Sequence, residues 1–250
     1  QRFVLHDSAL QRFVGTPRMT SPAAHLVRHM EQLPQPVRFQ WQTTVQPLQA
    51  PAGAGWQLHS PEHGPEAQRY QAVLLAVPAP QAAPLLEAVA PKAATLARSA
   101  PMRACWSVMV RCPQPVPLPV DGCFVEHSPL RWIARDSSKP GRSGPETWLL
   151  HASHAWSEAH VHDEATAVTA ALLQAFAQLG GPDPASVQAT AHRWLYADTA
   201  PPLNVDGWWQ PETGLGLCGD WLHNGTVEGA WLSGRHLAQR VHATLAAHTA

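Results

Sequence analysis

A chain of 250 residues is long enough for one large domain or two small ones, with a core that needs neither a disulfide nor a metal for stability. Only 14% of it is charged and the net charge is −1, so it carries no basic stripe for a phosphate backbone and no acidic disordered tail. No run approaches the ~20 apolar residues of a membrane-spanning helix. What remains is a soluble, globular protein punctuated by 25 prolines.

In chain order, residues 22–33 place Leu26, Met30 and Leu33 at helical spacing behind Ser21 as N-cap, which predicts a short helix. Residues 37–48 alternate apolar and polar side chains through Val45, as a half-buried strand does, and 55–60 reads as its hairpin partner beyond a Pro/Gly turn. Residues 72–77 are continuously apolar, the mark of a strand buried on both faces, and Pro78 and Pro80 stop it. The Ala/Leu-rich stretch that follows is helical and interrupted at Pro84 and Pro91. Between 101 and 153, short strands separated by proline clusters predict a mainly antiparallel subdomain. Residues 157–181 form the clearest helix, with Ser157 as cap, Val168, Leu172 and Phe176 as its stripe, and Gly180 as terminator. A strand over 187–197 and a short apolar strand ending at Asp220 lead into a closing helix. Its apolar stripe is Val227, Ala230, Trp231, Gly234, Leu237, Val241 and Leu245. Cys105, Cys112, Cys123 and Cys218 form no Cys-x-x-Cys pair and read as reduced, buried thiols of a cytoplasmic protein. The chain opens at Gln1 without a methionine, so a longer gene product is expected.

The pattern G-x-G-x-x-G occurs at Gly214, Gly216 and Gly219. A dinucleotide loop must follow a strand and open a helix, whereas these glycines lie within the strand itself. The longer run around them says more. A strand ends at Gly219-Asp220, Asn224-Gly225 turns, and a helix begins near Thr226. Unpaired amides at a helix start favour an acceptor, and Asp220 suits a sugar-like hydroxyl. Gly229, Ala230, Ser233 and Gly234 admit either a flat ligand or a closely packed backbone. His151, His154, His160 and His162 with Asp163 do not share a face, so no metal is expected from them. No G-x-S-x-G elbow supports a hydrolase. Trp106, Trp132, Trp194 and Tyr196 either line an aromatic substrate pocket or pack a core.

GLCGDW followed by NGTVEGAWLSGR resembles the C-terminal flavin signature of FAD-dependent amine-oxidase-type oxidoreductases, in particular their bacterial renalase-like branch. VGTPRMTSPAAHL, AVLLAVPAPQAAPLL, MRACWSVMV, SPLRWIARDSSKPGR, WLLHASHAWSEAH and AHRWLYA agree in order along nearly the whole chain. The resemblance implies an α/β, two-domain flavoprotein. Its FAD domain would be an incomplete Rossmann-like unit from 1–100 and 187–250 that lacks the N-terminal βαβ unit, with an antiparallel-sheet substrate domain at 101–186. It implies FAD as cofactor, with Asp220, after Gly219, at the ribityl or diphosphate portion. Val227, Glu228, Gly229 and Ala230 would pack below the isoalloxazine, their amides toward its N1/C2=O edge. Val45 would lie at the adenine, with Ala76, Val77 and Pro78 near the same end. The implied chemistry is hydride transfer from a small reduced substrate, a dihydronicotinamide or an amine, with electrons passing to dioxygen. No residue is singled out as catalytic, and no nucleic-acid or membrane partner is expected. The glycine-rich diphosphate loop of such proteins is not found in this sequence, so the rival expectation is a non-catalytic binding module without flavin.

Overall fold

Between residues 102 and 152, β-branched and aromatic residues cluster in short runs divided by Pro, Gly and Asp, and these runs fold as antiparallel strands. The computed structural model describes residues 2–4, 13–51, 53 and 55–249. It divides into two units, Gln1–Phe39 with Ala104–Leu195, and Gln40–Arg103 with Tyr196–Ala250. The elements begin with β1 (Arg2–Val4), α1 (Ser21–Glu31), β2 (His59–Ser60), β3 (Gly64–Pro65), β4 (Val73–Leu75), α2 (Ala79–Leu86) and α3 (Pro91–Arg98). There follow β5 (Met102–Arg111), β6 (Gly122–Glu126), β7 (Leu130–Arg135), β8 (Thr147–Ala152), α4 (His154–Ala159) and α5 (Ala165–Ala177). The chain continues through β9 (Gln188–Thr199), β10 (Trp208–Gln210), β11 (Leu215–Leu217) and α6 (Val227–Thr249). Among the described residues no helix is long and apolar enough to cross a membrane.

The first unit is built on a six-stranded sheet of order β1-β6-β7-β8-β5-β9. β8 pairs antiparallel with both β5 and β7, which sets Leu150 opposite Val108 on one side and Ile133 on the other. Val108, Val110, Ile133, Trp148, Leu150 and Ala152 are all buried, and α5 adds Val168, Leu172 and Phe176 at four-residue spacing to the same core. Trp148 and Phe176 meet with ring centroids 5.3 Å apart. Each such large side chain contributes about 1.5–3 kcal/mol by leaving water. An ion pair is carried on this core: Arg135 lies 2.9 Å from Glu146 and 4.7 Å from the Trp148 ring, and Trp148 Nε1 donates to Glu146 Oε1 at 2.6 Å. A charge this enclosed is tolerated because it is paired and hydrogen-bonded.

The longest predicted helix is two helices. Ser153, not Ser157, caps the first, its hydroxyl accepting from the Trp156 amide at 3.2 Å. Between the two helices His160 Nδ1 meets Asp163 Oδ2 at 2.7 Å and closes the turn. Ser157 is fully buried, its hydroxyl accepting the Trp106 backbone N–H at 3.0 Å. Helix α1 forms where predicted, with Thr20 rather than Ser21 at the N-cap, and buries none of its residues.

The second unit holds a three-stranded sheet of order β10-β11-β4, with β11 parallel to β4 and antiparallel to β10. Alanines of α2 (Ala79, Ala82, Ala83) and α3 (Ala93, Ala94, Ala97) share a core with Val73, Leu75, Leu215 and Leu217. The strand expected to be buried on both faces is only three residues long, and Leu74 is 42% exposed. β4 is the edge of this sheet and only its Val73/Leu75 face joins the α2–α3 core. Pro84 sits inside α2 instead of ending it, whereas Pro91 opens α3, where its fixed φ is helix-compatible. No ladder forms over 38–45 among the described residues. Gln42 takes φ +54° and breaks the extended run, and hydrogen bonds from Gln46 N to His59 O and from Leu48 N to Leu85 O, both 2.9 Å, anchor the segment as an irregular strap. Helix α6 begins as predicted, yet its buried positions are Gly229, Ser233 and Leu237. Val227 is 91% exposed and Trp231 is exposed with it.

Candidate functional site

Two parallel strands of the second unit end side by side. β4 runs into the turn 76–78 and β11 into 218–220, and the Cys218 amide donates to Leu75 O at 3.1 Å. In open α/β sheets the carboxyl ends of parallel strands are where ligands bind. Buried Trp221 donates its Nε1 to Val77 O at 3.1 Å and so fastens one turn to the other. The next residues make a 3-10 turn, Asp220–Leu222, in which the Asp220 carbonyl accepts from the amides of His223 and Gly225, each at 2.9 Å. Among the described residues none hydrogen-bonds to the Asp220 carboxylate.

The helix start is tightly made. Thr226 Oγ1 accepts the Gly229 N–H at 2.9 Å, and the Thr226 carbonyl accepts the Ala230 N–H at the same distance. Those two amides are therefore occupied within the chain, while those of Val227 and Glu228, first in the helix, have no intrahelical partner. Gly229 has a reason that its sequence context hid: a Cβ there would lie 2.0 Å from the His223 carbonyl oxygen, a backbone atom that side-chain adjustment cannot move. The glycine is demanded by the turn itself, whatever lies outside it. The Gly219 amide donates to Ser233 Oγ at 3.1 Å and ties the turn to α6. Gly216 permits a second close approach, since a Cβ there would stand 2.8 Å from Leu74 Cδ2 and 2.9 Å from Leu237 Cδ1.

Of the residues singled out from sequence, Ala76, Pro78, Gly219, Asp220, Val227, Glu228, Gly229 and Ala230 occupy these two turns and the helix start. Val45 is half-buried against the same apolar cluster that holds Val77 and Trp221, on the strap rather than on a strand. The aromatic candidates are dispersed. Trp106 is buried in the first unit's core with its Nε1 donating to His160 O at 2.9 Å. Trp132 is half-buried and tilted on Phe124, centroids 4.8 Å apart. Trp194 and Tyr196 are exposed on β9.

The histidines of 151–162 make separate local contacts. Burial, reinforced by Arg131, Lys139 and His154, holds His151 below the ordinary histidine pKa. His154 Nδ1 lies 3.0 Å from Ala104 O and His160 pairs with Asp163. A different group, absent from the sequence-based expectations, does converge: the ligand atoms of Asp206, His223 and His236 lie within 4.8 Å of one another. No local spacing announces it, because the three sit on separate segments. The structure puts Asn204 and Asp206 at left-handed φ (+53° and +61°), which short polar side chains tolerate.

A family model for flavin containing amine oxidoreductases matches residues 5–242. Among solved structures, a protein assigned as a protoporphyrinogen oxidase from Exiguobacterium superposes with TM-score 0.66 at 16% identity over 88% of this chain and 51% of that one. Cyclohexylamine oxidase from Brevibacterium oxydans gives 0.62 at 16% identity, covering 81% of this chain and 48% of that one. Putrescine oxidase bound to putrescine gives 0.55 at 12%, covering 80% and 48%. The chain spans about half the length of these structures, and at such identities the likeness carries the mixed α/β fold alone.

Proposed function

The chain belongs to the flavin-containing amine oxidoreductase family, and from that premise we propose that it binds FAD and serves the oxidation of a small reduced substrate in the renalase-like manner. The observation that supports this reading is the junction of turns 76–78 and 218–220 with the start of α6. It offers a carboxylate without a described partner, two helix-start amides and an exposed apolar residue, Val227. That donor set fits a flavin. The Asp220 carboxylate accepts hydrogen bonds from ribityl hydroxyls, a role for which Gly219 and Ser233 hold its turn in place. The Val227 and Glu228 amides, at the positive end of the helix, stabilise negative charge at the pyrimidine edge of the ring. Gly229 and Ala230 keep the helix start narrow, and Val45, Ala76 and Pro78 border the adenine end. A bound flavin supplies a hydride acceptor that dioxygen can reoxidise.

In this reading the second unit carries FAD. The donor is a dihydronicotinamide or an amine, a small molecule in either case. Four free, buried cysteines support a reducing, cytoplasmic setting.

The test is Asp220→Ala in the full-length gene product, with FAD affinity read by fluorescence titration. Loss of a charge-assisted hydrogen bond worth ~1.5–3 kcal/mol predicts a roughly ten- to hundredfold weaker complex. Full flavin occupancy in that variant, with loss in a histidine variant of 151–162, would place the site elsewhere. A gene product that takes up no flavin at all would favour the rival binding module.

A further inference from the structure

Asp206, His223 and His236 are held together by backbone, not by chance rotamers. The 203–205 segment is tied to the turn after β11 by the Leu203 amide on Trp221 O at 3.0 Å and the Val205 amide on Leu222 O at 2.8 Å. Asp206 follows that segment, His223 follows the turn, and His236 stands on α6, which packs against the same turn. His223 Nδ1 hydrogen-bonds Asp206 Oδ1, and His236 Nδ1 lies 4.0 Å from the same oxygen. The two imidazoles stand edge to face with centroids 5.8 Å apart. His236 Nδ1 is buried and has no hydrogen-bond partner among the described residues. Buried polar atoms are nearly always satisfied, so this nitrogen points to a missing partner.

We propose that Asp206, His223 and His236 form a binding site for one divalent transition-metal ion of the zinc class. Two imidazoles, which are borderline donors, joined by one carboxylate suit zinc, nickel or copper, whereas magnesium and calcium seek sites built of oxygen alone. An ion among the three gives the His236 nitrogen its partner and takes the place of the proton shared by His223 and Asp206. Three protein ligands leave a coordination position open, and the exposure of Asp206 leaves it open to water.

Zinc chloride alone, titrated calorimetrically into the metal-free 250-residue protein, should bind at one equivalent with a Kd of about 1 μM or tighter. Asp206→Asn and His236→Gln should each weaken that equivalent at least ~10-fold. His160→Gln, which removes the ordinary His–Asp pair of the first unit, should leave it unchanged. Cobalt(II) bound in place of zinc should show visible ligand-field bands that are lost in the first two variants. No one-equivalent site in the unmodified protein overturns the proposal. So does a site that survives whichever of the two substitutions keeps the parent circular dichroism spectrum. The titration needs no flavin, so its failure and that of the flavin reading are distinguishable.

Discussion

Both units bury large side chains, but on different frameworks. The first fills a broad antiparallel sheet with volume: Trp148, Phe176, Ile133, Leu150 and Leu172 are all buried, and the ladders satisfy the backbone. The second has a three-stranded sheet of short strands, an alanine-rich helix pair and a helix that approaches its turn through Gly229, Ser233 and the face over Gly216. Large side chains make the first unit sensitive to cavities. Close backbone approach makes the second sensitive to added methyl groups. The candidate cofactor site lies in the unit where turns, not ladders, hold the polar groups, as loops carried on a scaffold commonly do.

Phe176→Ala should show the largest effect. Removing a fully buried aromatic from the volume-filled core costs about 3–5 kcal/mol, measured as a shift in urea midpoint at unchanged slope. A cost under about 1 kcal/mol would mean that this core collapses around the gap and the contrast is false. Gly229→Ala sharpens the other half. It should destabilise by about 1–3 kcal/mol with or without flavin, and Gly229→Val by more, because the added carbon meets the His223 carbonyl. A rise in melting temperature, as replacement of an ordinary mid-helix glycine produces, would show that the close approach is not real. Thr226→Ala should cost about 1 kcal/mol through loss of the cap on Gly229 N–H, again seen in the melting temperature.

The smallest effect concerns pH. His151 has its folded pKa below the ordinary 6.5, chiefly through burial. The unfolded chain then binds the proton more readily than the native one. This contribution is whole above about pH 6.5 and is lost as pH falls toward the folded value, by at most ~1.4 kcal/mol per pH unit. Urea unfolding at neutral and mildly acid pH should show a shallower dependence in His151→Asn than in the parent. Equal slopes would show that His151 is not held neutral by its surroundings.

Sequence alone determined what depends on neighbours along the chain. The strand at 215–217, the turn at Asp220, the start of α6 at Val227 and the antiparallel character of 102–152 all follow from local pattern and turn residues. The motif at 216–235 likewise pointed to the flavin amine oxidoreductase family, whose model covers residues 5–242. The tertiary structure decided which side of each element is buried and what the small residues are for. The apolar stripe written into α6 left Val227 exposed, because the helix packs by its glycine and serine positions onto a turn that periodicity does not encode. Ser157 reads as a cap yet serves as a buried acceptor for Trp106, a residue distant in sequence. Asp206, His223 and His236 converge only because the 203–205 segment pairs with the turn after β11. Hydrophobic period and capping rules sum over residues three or four apart, whereas these contacts join distant segments. They exist only once the chain has closed on itself.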